Sequence, residues 1–94
     1  MDRIAVEQRH IDAAFDDLKS ELKRRLKEKG KLSFASAHEA LGVITEEFWE
    51  LVLAVKSNDS KEVVKESLDL AVGALFTVAT AKAWTEQYKG AEKK

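Results

Sequence analysis

Apolar positions recur along the first third of the chain at Ile4, Ile11, Phe15, Leu18, Leu22 and Leu26, at gaps of seven, four, three, four and four. That is the stripe of an amphipathic helix, predicted over about Asp2 to Lys29. Lys23, Arg24, Arg25, Lys27 and Lys29 crowd its end, as the negative pole of a helix prefers, and Gly30 is its stop. A second helix is predicted after Lys31-Leu32, with Ser33 or Ser36 as its cap; Ser36-Ala37-His38-Glu39 has the spacing of a capping box. Its main apolar arc is Phe34, Ala37, Leu41, Ile44, Phe48, Leu51, Val52 and Val55. Trp49 and Leu53 fall to one side of that arc and Ala40, Val43 and Ala54 to the other, so the helix is apolar around most of its circumference and is expected to face two partners. Ser57-Asn58-Asp59 reads as a turn, and Asp59-Ser60-Lys61-Glu62 as the capping box of a third helix. That helix is predicted from about Ser60 towards Tyr88, ending near Gly90 before the charged tail Ala91 to Lys94. So short a turn makes the second and third helices antiparallel neighbours.

Composition sharpens this pattern into an all-α expectation. Proline is absent and the 94 residues include only four glycines, which suits helices and not turn-rich sheets. No cysteine is present, so disulfides and thiolate chemistry are excluded. The longest uncharged run, Leu70 to Ala81, is twelve residues, short of the ~18–20 that span a bilayer. No apolar run of signal-peptide type follows Met1-Asp2-Arg3, and a cytoplasmic protein without a membrane partner is expected. Sixteen basic against seventeen acidic residues give a net charge of −1, which argues against a nucleic-acid partner. A chain of this length buries only about 60% of its unfolded surface. The expected architecture is therefore an antiparallel bundle of about three long helices per chain, completed by oligomerisation.

Charged residues on open helix faces need no explanation; those that break an apolar face do. Helix two carries Glu46, Glu47 and Glu50, with Glu47 on the side of Ala40, Val43 and Ala54. On helix three, Glu66 and Asp69 share a narrow stripe with Gly73, Thr77 and Thr80. Glu47 and Glu50 lie seven to ten residues before Ser57, while Glu66 and Asp69 lie seven to ten after Asp59. At ~1.5 Å of rise per residue, the two pairs stand level across the hairpin. Four facing carboxylates repel one another and raise each other's pKa unless a cation neutralises them. A hard divalent ion, Mg2+ or Mn2+, is the natural choice: it takes a few carboxylate oxygens, keeps waters and completes its shell with substrate phosphates.

Glu46-Glu47-x-x-Glu50, fifteen residues, then Glu66-x-x-Asp69 resembles the signature of the MazG-like all-α nucleoside triphosphate pyrophosphohydrolases, an EExxE followed by an ExxD on two antiparallel helices. The resemblance covers about residues 34–84, and it implies that residues 1–94 form a single all-α domain of this kind. It further implies that Glu47, Glu50, Glu66 and Asp69 are Mg2+ ligands, and that Glu46 either supports those ligands from behind or helps orient water, with Glu46 and Glu47 as the catalytic candidates. The implied reaction converts a nucleoside triphosphate and water to a monophosphate and pyrophosphate, a housecleaning of the nucleotide pool, in a homodimer or homotetramer.

Three further residues are candidates for substrate binding. His38 is placed to stack on a base or touch a phosphate, or else to be an ordinary hydrogen-bonded histidine. Trp49 is either a stacking platform or a subunit-interface residue. Lys65, in the first turns of helix three, can meet phosphates or belong to a solvated face. The competing reading of the whole chain is a non-enzymatic helical oligomerisation or interaction module whose acids form a solvated face.

Overall fold

The computed structural model describes residues 2–88, which are all-α, with no strand among them. Three helices follow in order: α1 (Gln8–Lys29), α2 (Ala37–Ser57) and α3 (Ser60–Gln87). Among the described residues no helix is long and apolar enough to cross a membrane. The expected stop near Gly90 and the charged tail Ala91 to Lys94 lie outside the described residues. The chain divides into two compact units, Met1–Gly30 and Lys31–Lys94.

In the first unit, α1 begins at Gln8 and not near Asp2. Glu7 takes an extended backbone and its N–H donates to His10 Nδ1 at 3.0 Å, which fixes the helix start there. Ile4, the first residue of the predicted stripe, therefore precedes the helix and is exposed. The far end is as expected. Gly30 has φ +85°, and its N–H caps Leu26 O at 2.8 Å. Two of the basic residues at the end of α1 are paired within the helix. Arg24 donates to both Glu21 and Glu28, and Arg25 lies 3.6 Å from Glu21. The Arg24 hydrogen bond holds the Glu21 carboxyl below the usual carboxylate range.

The second unit is built on the packing of α2 against α3. Local chemistry fixes its joints. Ser36 Oγ accepts the Glu39 N–H at 3.1 Å, and Glu39 Oε1 accepts the Ala35 N–H at 2.6 Å. Asn58 ends α2 in the left-handed region with φ +63°, a conformation asparagine tolerates. Asp59 opens α3, its Oδ1 accepting the Lys61 and Glu62 N–H groups at 3.0 and 3.4 Å. Only these two residues separate the helices.

Buried positions repeat every seven residues on each helix. Ala40 and Ala54 bracket half-buried Glu47 on α2, while Glu66, Gly73 and Thr80 are buried on α3. Val72 is buried outside this repeat; the repeat positions themselves are small or acidic, which lets the backbones approach. A Cβ at Gly73 would stand 3.9 Å from both Val43 Cγ1 and Ile44 Cγ1, so this stripe serves helix contact. Further from the turn, the Phe34 and Phe76 rings meet edge to face at 5.3 Å, and the Phe34 N–H donates to Thr80 Oγ1 at 3.3 Å. Phe34 precedes α2 instead of belonging to it. The apolar arc predicted as the core is only partly covered: Ile44, Leu51 and Val52 are half-buried, whereas Leu41, Phe48 and Val55 are exposed.

Candidate metal centre

Helix geometry carries the acids to one level, and the side chains complete the approach. Glu47 from α2 and Glu66 and Asp69 from α3 each offer a carboxylate oxygen, and these oxygens lie within 4.8 Å of one another. The two helices reach the same height because Glu47 and Asp69 each lie about 15 Å along the axis from the connection. Their lateral convergence follows from the buried heptad positions, since Glu47 and Glu66 occupy places otherwise filled by Ala40, Ala54, Gly73 and Thr80.

Glu66 is the residue whose environment is hardest to explain without a ligand. It is 8% exposed, and its Oε1 is buried with no hydrogen-bond partner. A buried carboxylate oxygen left without a donor loses hydration with nothing in return. Its other oxygen, Oε2, accepts from Lys65 Nζ at 3.2 Å, and the same ammonium lies 3.7 Å from Asp69 Oδ2. The hydrogen bond to Glu66, then the charges of Glu66 and Asp69, hold the Lys65 pKa above its ordinary value.

Glu50 stands at the exposed rim. Its carboxyl is pushed above the usual carboxylate range, first by hydrogen bonding to Glu47, then by lost hydration and the negative charges of Glu47 and Glu66. All four acids expected to converge are therefore in mutual contact or influence, three of them as a tight set and Glu50 at its edge. Glu46 is exposed and, at ~100° around α2 from Glu47, is not among the acids that converge.

The donor set fits a hard divalent cation. It is all oxygen, and opposite ligands around Mg2+ stand ~4.2 Å apart, a span of the same order as the 4.8 Å within which the three carboxylate oxygens lie. Mn2+ has the same preference for carboxylate oxygen.

The remaining candidates are not brought into the acid set. His38 is exposed in the first turn of α2, about 13 Å along the axis from Glu47. Trp49 is 56% exposed, and two residues beyond Glu47 it points ~200° around the helix. It faces outward and not beside the acids. One acid read only as a solvated or capping residue does join the site. Glu62 lines an open groove of about 480 Å³ with Glu50, Leu53, Ala54, Ser57, Asp59 and Glu66, running from the acid set to the turn. Its position four residues before Glu66, on the same helix face, was the available signal.

No family model, curated protein or solved structure matches the chain. The site is therefore defined by its own residues.

Proposed function

We propose that this protein is a Mg2+-dependent nucleoside triphosphate pyrophosphohydrolase of the MazG-like kind, working as a homodimer or homotetramer of antiparallel helix pairs. The observation that carries the reading is the convergence of carboxylate oxygens of Glu47, Glu66 and Asp69, together with the buried, partnerless Oε1 of Glu66. Mg2+, or Mn2+ in its place, supplies positive charge to phosphate oxygens and lowers the pKa of water. Glu47, Glu66 and Asp69 hold the ion, with Glu50 closing the set from the rim. Glu46 is exposed next to Glu47 and free to orient the attacking water and accept its proton. The new bond joins the water oxygen to the α-phosphorus, and the bond to the α,β-bridging oxygen breaks. Trp49 and His38, both exposed on α2 and away from the acids of their own chain, are open to a second subunit.

A second reading, a helical interaction module, is favoured by one observation. Leu41, Phe48 and Val55, seven residues apart, form an exposed apolar stripe on α2. Oligomerisation accommodates that stripe within the first reading. The module reading gives no reason for burying Glu66 among other acids.

Screening nucleoside triphosphates for pyrophosphate release with added Mg2+ tests the proposal. Metal-dependent release of pyrophosphate, abolished by Asp69→Asn, supports it; release of orthophosphate, or no turnover of any triphosphate, counts against it.

A further inference from the structure

The cation already present among the acids is the ammonium of Lys65. It lies 3.2 Å from Glu66 Oε2 and 3.7 Å from Asp69 Oδ2, between two side chains only 10% and 14% exposed, while its own side chain is 63% exposed. One charge so placed cannot neutralise Glu47, Glu50, Glu66 and Asp69 together. It also leaves Glu66 Oε1 buried without a partner. The ammonium thus stands on the solvent side of Glu66 and Asp69, with Glu66 Oε1 still without a partner.

We propose that Lys65 is a resident counter-cation, bridging Glu66 and Asp69 in the metal-free protein and withdrawing into solvent when a divalent cation binds. This rests on the metal reading of the same acids. A divalent ion brings twice the charge and accepts lone pairs from several carboxylate oxygens at once. Lys65 has little to hold it against such competition, because its stem is already largely in water and an exposed ion pair shifts an equilibrium by no more than about fivefold. In return, the lysine limits repulsion among the acids while the site has no metal, so the helix pair stays closed.

Calorimetric titration with Mn2+ alone, on wild type, Lys65→Gln, Lys65→Arg and Asp69→Asn, tests this. Removing a competing cation should tighten Mn2+ binding by roughly two- to fivefold in Lys65→Gln, whereas Lys65→Arg should bind no more tightly than wild type. Melting gives a second readout: Lys65→Gln should lower Tm without metal and regain the wild-type Tm with saturating Mn2+. Weaker Mn2+ binding in Lys65→Gln would show that Lys65 orients the ligands and would overturn the proposal. Unchanged affinity, or an equal loss of Tm with and without Mn2+, would also overturn it. If wild type and Asp69→Asn alike show no saturable Mn2+ binding, the metal reading fails, and this inference with it.

Discussion

Glu47 and Glu66 approach from different helices until their carboxylate oxygens lie within 4.8 Å, at positions where each helix otherwise packs with alanine, glycine or threonine. Two acids at the contact between helices oppose the packing that brings them together. The expected consequences for stability, pH dependence and assembly are separable.

Replacing a site acid should disable binding without unfolding the chain. Glu50→Gln, at the rim, should weaken Mn2+ affinity by about 10- to 100-fold, the range for groups that support metal ligands, and Asp69→Asn should weaken it at least as much. Helicity by circular dichroism should be unchanged, and the metal-free Tm of Glu50→Gln should be equal to or above that of wild type. A large loss of metal-free stability would instead identify these acids as structural ion-pair partners.

The raised pKa of Glu50 sets the sign of a pH effect. The folded metal-free state binds this proton more tightly than the unfolded chain, so its stability falls as pH rises from the ordinary carboxylate range through the raised value. Urea unfolding of wild type and Glu50→Gln across that range should show little difference at the acid end. Above the raised value the variant should be the more stable. Glu21, held low by Arg24, acts in the opposite sense, losing its contribution as pH falls through its depressed value, and is common to both proteins.

The turn should be sensitive to single substitutions. Asp59→Ala removes the acceptor for the Lys61 and Glu62 N–H groups and should cost about 1 kcal/mol. That corresponds to roughly 4–8 °C in Tm for a domain of this size. Asn58→Gly should be tolerated at φ +63°, while Asn58→Val should destabilise. Thermal melts of the three variants check the order.

Gly73 separates steric need from helix propensity. A Cβ there meets Val43 and Ile44 at ordinary contact distance, so Gly73→Ala should be stabilising by about 0.5–1 kcal/mol. A bulky side chain should force α2 and α3 apart and lower Tm. Denaturant unfolding of Gly73→Ala and Gly73→Leu reads both outcomes.

The exposed stripe on α2 should govern assembly. Phe48→Asp places a charge between Leu41 and Val55 and should reduce the mass in sedimentation to that of one chain. Trp49→Ala distinguishes the two roles of that side chain. A changed mass assigns it to an interface; weaker nucleotide binding at unchanged mass assigns it to base stacking.

What was legible in the sequence follows the range of the interactions involved. Ser36, Asp59 and Gly30 act within four residues of themselves, and each ends or begins a helix where its type implies. The level of the acids was legible because a fixed rise per residue and a short turn leave little freedom. The face of α2 that meets α3 was not. Two apolar faces compete on that helix, and periodicity cannot tell the small-residue face around Glu47 from the bulkier one through Leu41, Phe48 and Val55. The same ambiguity concealed the outward direction of Trp49. The start of α1 was misplaced because Ile4 continued a spacing that the Glu7 backbone interrupts.

Crystals grown with Mn2+ and measured for anomalous scattering give the most direct test of the acid set as a metal centre. A strong anomalous peak at coordination distance from oxygens of Glu47, Glu66 and Asp69 is the expected result. Full occupancy at unrelated surface acids, with these three side chains left as they are in the metal-free protein, would contradict it.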